Sequence, residues 1–408
     1  MKDLFTLQDA ARLAGPHTFG LMLKPAGSAC NLACTYCYYL DKGVRQPGGV
    51  MSPELLEECI RQYAEACEGE ELNFCWHGGE PLLLGIGFFR KALEMQKRYC
   101  GGRKICNSLQ TNGLLVNTEW CRFFANNGFL IGISLDGPRD IHDAFRVNGR
   151  GKPSFDKVME AVRLFRAYGV EFNTLSVVNS HCEGRGAEIY RFLRDTVKST
   201  HMQFLPAVEM LDKSSEGRPR IAEPGDPSAQ VALWSVSPEG YGRFLCDIFD
   251  VWVKTDVGST FVQMFDATLA GWCGVPPGVC TMAETCGGNL CIERGGDVYA
   301  CDHLVYPSYL LGNVLEKPLK EIFDSPARVR FALNKRNGLP EECLVCPWYR
   351  ACHGECPQHR FSPKNYLCEG LRLFFAHVAP SMDIMSSLLE RELPPSLIMQ
   401  NRYLFGIF

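Results

Sequence analysis

The chain lacks an imbalance of charge. Its 42 Lys and Arg stand against 46 Asp and Glu, a net charge of −4 over 408 residues. No basic patch of the kind that follows a phosphate backbone is present, so nucleic acid is not an expected partner. No apolar run nears the roughly 18 residues of a membrane span, so a membrane is not expected either. The opening MKDLFTLQDAARL places charges where a secretory signal is apolar. There is no internal repeat of fixed period and no low-complexity segment. Hydrophobic residues at 46% and charged residues at 22% are ordinary globular usage, which excludes a disordered chain. The length suits about two to three domains, or one large barrel with an appendage.

Cysteine is the outlier, with 21 residues of 408. That share lies below the roughly 8–10% of small disulfide scaffolds, and a chain this long buries a core without staples. With no export signal, the expected compartment is cytoplasmic and reducing, where disulfides are rare. Clustered cysteines there read as metal or cluster ligands, or as catalytic thiols.

Six short apolar runs, at 19–25, 71–77, 104–111, 129–135, 170–178 and 201–207, predict strands. Helical patterns near 52–66, 85–99, 117–127, 154–168 and 185–198 lie between them. Ser52-Pro53-Glu54 supplies an N-cap, a proline at N1 and an acid in the first turn. Strand alternating with helix implies a parallel sheet with right-handed crossovers, hence an α/β fold. Six units in 1–210 suit an incomplete (β/α)6 barrel better than a closed barrel of eight. Residues 211–238 read as a loop or linker, followed by helices near 239–254 and 260–272, so that 211–272 forms a linker with helices. From 273 to 370 the chain is cysteine-dense, with a hairpin turning at Gly295-Gly296, and 371–408 reads as a C-terminal helix and tail. The two halves read as separate architectural units.

Cys30, Cys34 and Cys37 form C-x3-C-x2-C in the loop after the first strand. Three thiolates can hold three irons of a [4Fe–4S] cluster and leave the fourth iron open to a small molecule. The loops after the strands are where (β/α) barrels place their active sites. A zinc loop or buried apolar thiols are the alternatives, and three thiols leave structural zinc one ligand short. His77-Gly78-Gly79-Glu80-Pro81 ends the second strand, Gln110-Thr111-Asn112-Gly113 the third and Ser134-Leu135-Asp136-Gly137-Pro138 the fourth. C-x3-C-x2-C with an aromatic at Tyr36, followed by these segments in this order, resembles the radical S-adenosylmethionine (SAM) superfamily. The resemblance implies that the glycines let backbone carbonyls approach the SAM ammonium closely, and Glu80 would have oxygens to accept further hydrogen bonds from it. The resemblance implies that Tyr36, Gly79, Ser134, Arg146 and Leu205 contact SAM. Ser134 would offer a hydroxyl and Arg146 a planar fork to its carboxylate. The alternative for Arg146 is a surface ion pair with Asp140 or Asp143, and for Leu205 a core position.

Cys280, Cys286, Cys301, Cys343, Cys346, Cys352, Cys356 and Cys368 follow with spacings x5, x14, then C-x2-C-x5-C-x3-C, then x11. Eight thiols suffice for two closed [4Fe–4S] clusters, with a zinc ribbon opening at Cys343 as the alternative. The pattern resembles the SPASM extension of radical SAM enzymes that modify peptides and proteins. The resemblance implies interleaved ligands: Cys280, Cys286, Cys301 and Cys356 for one auxiliary cluster, and Cys343, Cys346, Cys352 and Cys368 for the other. Together with the first, these make three [4Fe–4S] clusters. Cys273 and Cys291 are nearby spares able to displace an assigned ligand. Cys59, Cys67, Cys75, Cys100, Cys106, Cys121, Cys182 and Cys246 read as packing.

Tyr299-Ala300-Cys301-Asp302 is similar to the corresponding stretch of anaerobic sulfatase-maturating enzymes, and the likeness spans about residues 19–370. Those enzymes convert a Cys or Ser of a sulfatase, within a C/S-x-P/A-x-R type motif, into Cα-formylglycine. The resemblance implies that flavodoxin or ferredoxin supplies electrons and that SAM yields a 5′-deoxyadenosyl radical, which takes a hydrogen atom from the target Cβ. Asp302 would then accept the thiol or hydroxyl proton as an electron leaves toward the auxiliary clusters. The bland reading of Asp302 is a turn residue. Tyr39 and His77 are candidates to line the peptide site. Two other functions fit part of the sequence. A different SPASM peptide modifier, forming thioethers or crosslinks, would share every cluster ligand. A non-catalytic iron–sulfur redox sensor would not need the segments at the strand ends.

Overall fold

The computed structural model describes residue 6 and residues 17–40, 49–212, 220–222, 226 and 228–401. The opening segment MKDLFTLQDAARL lies, but for one residue, outside them, as do the end of the C-terminal tail and parts of the stretch 211–238.

Six βα units open the chain. Their strands are β1 Gly20–Lys24, β2 Glu71–Trp76, β3 Lys104–Thr111, β4 Leu130–Ser134, β5 Phe172–Val178 and β6 His201–Pro206. The intervening helices are α1 Pro53–Ala66, α2 Gly85–Tyr99, α3 Thr118–Asn126, α4 Arg139–Phe145, α5 Phe155–Tyr168 and α6 Gly186–Arg191. The local chemistry explains their ends. Ser52 caps α1 by accepting from the Leu55 N–H at 3.2 Å, and Asn117 caps α3 by accepting from that of Trp120 at 3.0 Å. In α5, Val158, Ala161, Val162 and Phe165 form the buried stripe, and Gly169 closes the helix in the left-handed region at φ 65°.

Three short strands follow in the 211–238 stretch, β7 Met210–Asp212, β8 Arg220–Ile221 and β9 Gln230–Val231, in a small antiparallel sheet of their own. The helix expected over 260–272 is α8 Gln263–Trp272, preceded by a two-residue strand, β10 Phe261–Val262, paired with β6. Between them and the small sheet lies α7 Pro238–Thr255. The helix expected over 185–198 is α6 followed by a wider π turn, Phe192–Val197, ending at Lys198 with φ 61°.

The cysteine-rich half contributes β11 Asn289–Glu293, β12 Asp297–Tyr299 and β13 Leu310–Asn313, then α9 Pro326–Asn337 and α10 Cys368–Glu390. One sheet runs β10-β6-β5-β4-β3-β2-β1-β11-β12-β13. It is parallel from β10 through β11 and open, because β1 pairs with β2 and β11 and never with β6. The incomplete barrel is therefore continuous with the cysteine-rich half, in the register Gly20↔Asn289 to Lys24↔Glu293. A pairing between residues this far apart leaves no trace in local periodicity, which is why the halves read as separate units in the sequence. They also share one hydrophobic core, from Leu21 and Phe74 to Leu290, Ile292 and Phe374. At the crossing of α7 and α10, a Cβ on Gly370 would lie 1.7 Å from the Pro238 carbonyl oxygen. This contact sets the first turn of α10, where Cys368 stands.

Candidate active site

The loop after β1 presents Cys30, Cys34 and Cys37 around a small apolar cluster of Leu32, Tyr36, Phe145 and Ala207. Backbone bonds fix it: the Ala33 N–H donates to Val147 O at 2.8 Å and that of Thr35 to Phe145 O at 3.1 Å. The Leu32 N–H and the Asn112 amide point at the Cys30 sulfur, at 3.4 and 3.6 Å. Burial pushes the Cys30 thiol up to about 11 and that of Cys34 up to about 12. Buried thiols of this kind become thiolates only beside a compensating cation, and a bound iron cluster would provide one.

Gly78 and Gly79 lie against this loop. The Gly79 N–H donates to Gly27 O at 2.7 Å, and the Glu80 N–H to Ala29 O at 2.8 Å. A Cβ on Gly79 would stand 2.0 Å from the Ala29 oxygen. Glu80 is turned inward. Its carboxylate accepts from the Leu82 N–H at 3.1 Å, the Thr111 hydroxyl at 2.8 Å and the Asn112 N–H at 2.8 Å. Burial raises it to about 7. Glu80 thus ties the second strand end to the third, rather than reaching out to a ligand's ammonium.

Tyr36 and Arg146 meet at Asp136. The Tyr36 hydroxyl donates to one Asp136 oxygen, and Arg146 pairs with the other at 3.0 Å. The Arg146 side chain is 7% exposed, so the surface pair with Asp140 or Asp143 does not form; Asp140 instead pairs with Arg185. The Arg146 Nε is buried and has no hydrogen-bond partner, an orphaned donor beside the cysteine loop that a carboxylate would satisfy. Ser134, buried two residues before Asp136, accepts from the Gln110 amide at 3.0 Å. Leu205 is not a core leucine. It lines a cavity of about 200 Å³ together with Met22, Asp302 and His303.

Cys280, Cys286, Cys301 and Cys356 line that same cavity, and the spare Cys291 shares its wall. Cys343, Cys346, Cys352 and Cys368 line a second, smaller cavity with Trp348 and Tyr349. The two four-thiol sets thus fall on two separate cavities, as closed clusters would require. Lys335 of α9 is wholly buried and donates to the carbonyls of Cys280 and Thr281, both at 2.7 Å. The Cys286 N–H donates to Ala332 O of the same helix at 3.1 Å. The other spare, Cys273, faces Ser386 instead.

Asp302 stands where the two regions touch. One carboxylate oxygen accepts from the Tyr38 hydroxyl at 3.2 Å, and the other lies 3.3 Å from the His303 Nδ1. Burial alone would raise this carboxyl, but the His303 ring, with Lys24 and His77, holds it well below the usual carboxylate range. His303 rises to about 10, burial being outweighed by Asp302. Tyr38 follows Cys37 directly, so the first cysteine loop reaches the auxiliary cavity through its own next residue. Tyr39 is turned into the protein: its hydroxyl donates to Glu293 at 2.5 Å. His77 accepts from the Gly78 N–H at 2.7 Å, and burial together with Lys24 lowers its pKa to about 4. Lys24, Tyr38, Glu293 and His303 all escaped the sequence reading. The signal for the first was a lone lysine closing the apolar run GLMLK.

The family model for the radical SAM superfamily matches residues 25–193, and that for an iron–sulfur cluster-binding domain, SPASM, matches 280–347. A serine-type anaerobic sulfatase-maturating enzyme of Bacteroides thetaiotaomicron is 45% identical, over 93% of this chain and 94% of its own. A cysteine-type anaerobic sulfatase-maturating enzyme of Clostridium perfringens is 34% identical, over 89% of this chain and 96% of its own. A solved structure described as native anSMEcpe with bound AdoMet and Cp18Cys peptide superposes with a TM-score of 0.80 at 32% identity, covering 91% of this chain and 99% of that one. Streptococcus suis SuiB bound to precursor peptide SuiA, at 15% identity and a TM-score of 0.57 over 88% of this chain and 79% of that one, shares the fold.

Proposed function

This chain belongs to the anaerobic sulfatase-maturating enzymes, radical SAM proteins with a SPASM extension, and from that premise we propose how its residues divide the work of making Cα-formylglycine from a sulfatase Ser or Cys. Cys30, Cys34 and Cys37 hold the first cluster. Cys280, Cys286, Cys301 and Cys356 hold one auxiliary cluster, and Cys343, Cys346, Cys352 and Cys368 the other. When bound, the clusters and SAM supply the oxidising chemistry that removes a hydrogen atom and then an electron from the target residue.

The protein's own residues place and deprotonate. Arg146 and Ser134 orient the SAM carboxylate, with Tyr36 and Asp136 holding Arg146 in place. Gly79 keeps the strand end flush with the cysteine loop, and Leu205 lines the space between the SAM side and the auxiliary side. Asp302 accepts the proton from the target hydroxyl or thiol. The observation that supports this assignment is the place of Asp302: an ionised carboxylate on the wall of the cavity lined by Cys280, Cys286, Cys301 and Cys356, hydrogen-bonded to the residue after Cys37. A base must be charged before it can act, and His303 and Lys24 keep it so.

The substrate segment is a C/S-x-P/A-x-R type sequence of a sulfatase, and flavodoxin or ferredoxin is the donor. Serine is the first target to test, because relatives at 45% and 36% identity bear the serine-type name. Among the described residues no helix is long and apolar enough to cross a membrane. The test is anaerobic incubation with SAM, dithionite and matched S-x-P-x-R and C-x-P-x-R peptides. Aldehyde formation on either, read by peptide mass, supports the function. A thioether or crosslinked product would replace it with the other peptide-modifying chemistry.

A further inference from the structure

Lys24 has entered so far only as one of the charges that keep Asp302 ionised. Lysine is almost never fully buried unless paired, yet Lys24, the last residue of β1, is 0% exposed. Its ammonium donates to the Asp302 backbone carbonyl at 2.9 Å. It lies 3.9 Å from Glu293 Oε1 and 4.1 Å over the Tyr39 ring. Glu293 is 1% exposed, and its Oε2 accepts from the Tyr39 hydroxyl. Lys24 and Glu293 are register partners across β1 and β11, the pairing that joins the barrel to the cysteine-rich half.

We propose that Lys24 is a positioning residue for the base. Its ammonium fixes the main chain of Asp302, and Glu293 and Tyr39 fix Lys24. The inference rests on the reading of Asp302 as proton acceptor. Two arguments support it. A buried ion pair is often no more stabilising than an apolar pair of the same volume, so strand pairing alone gives no reason for a lysine here. A cationic donor does what an apolar residue cannot: it grips a carbonyl oxygen. The Asp302 side chain lies 3.2 Å from the Tyr38 hydroxyl, 3.3 Å from His303 and 4.0 Å from the Cys301 sulfur, so the 2.9 Å grip on its backbone is the shortest of these contacts.

The experiment compares wild type, Lys24→Met and Lys24→Met/Glu293→Gln as reconstituted holoenzymes. It reads iron content, melting temperature and the ratio of formylglycine to 5′-deoxyadenosine. Lys24→Met leaves Glu293 as an unbalanced buried charge and should melt earlier. The double variant removes both charges and should melt close to wild type. Positioning requires the ratio to fall about ten-fold in both variants, with iron content kept, since a charge-assisted hydrogen bond is lost in each. Recovery of the ratio along with the melting temperature in the double variant would make Lys24 a structural residue only. In an Asp302→Asn background, Lys24→Met should shift the ratio less than two-fold; a further ten-fold loss there would also overturn the proposal. A wild type that makes no formylglycine would instead refute the function itself.

Discussion

At the scale of the residue, the chemistry turns on Asp302. Its carboxylate has a stated environment and a single proposed task after hydrogen abstraction. Asp302→Asn keeps size and polarity but cannot accept the proton as a carboxylate does. Cluster content and SAM binding should survive, and 5′-deoxyadenosine should still form with substrate peptide. Formylglycine per 5′-deoxyadenosine should fall about a hundred-fold, measured by mass spectrometry, which an innocent turn residue would not produce. Arg146 is a different case, because it serves both a ligand and the fold. Arg146→Ala should weaken SAM binding about ten- to a hundred-fold in equilibrium dialysis. It also leaves the buried Asp136 without its counter-cation, so the melting temperature should drop, by the equivalent of about 3 kcal/mol. Glu80 offers a pH test. Burial lifts its carboxyl to about 7, above the value in an unfolded chain. The folded state therefore binds the proton more tightly, and the associated stability is present at low pH and lost as pH rises through 7. Relative to Glu80→Gln, which does not titrate, wild type should lose melting temperature between about pH 4.5 and 7; a constant difference across that range would place the Glu80 titration elsewhere.

At the scale of the element, the sequence was legible wherever a signal is local. The spans 85–99 and 104–111 match α2 and β3 to the residue, because apolar period and end chemistry both lie inside the segment. The π turn after α6, the two residues of β10 and the seven of α4 were not legible, since elements this short owe their conformation to neighbours distant in sequence. The turn Gly78-Gly79 shows both sides of this. Its motif marks a strand end, but the reason for Gly79 is the Ala29 carbonyl, which only the folded loop brings to 2.0 Å from a would-be Cβ. Gly79→Ala must push the Cys30 loop away. The iron count should then fall from about twelve to about eight per chain, with SAM cleavage lost, because the three-thiol loop is the one displaced. Iron and sulfide assays on anaerobically purified protein decide this, and an unchanged count would show that the loop yields without harm.

At the scale of the whole molecule, the ligand sets were legible because cysteine spacing is a property of the chain, whereas the base's surroundings were not, because Lys24, Tyr38, Glu293 and His303 assemble only when β1 meets β11. That meeting is also what makes the molecule one body. All five residues of β1 pair with β11, and core residues of both halves lie in one cluster. A barrel fragment of residues 1–272 would therefore expose the full edge of β1, lose the apolar cover of Leu290, Ile292 and Phe374, and leave Lys24 without Glu293 or the Asp302 carbonyl. An unpaired strand edge beside an opened apolar face is a template for aggregation. The fragment should elute as aggregate and retain no cluster, although it contains every residue of the first cysteine loop and of the SAM segments. Supplying 273–408 in trans during anaerobic reconstitution should recover soluble, iron-loaded complex, since the missing strand and counter-charge are then present. A monomeric 1–272 fragment that unfolds cooperatively and binds about four irons by itself would show that the barrel folds and loads without its neighbour, and that the continuous sheet serves only to bring Asp302 to the cavity.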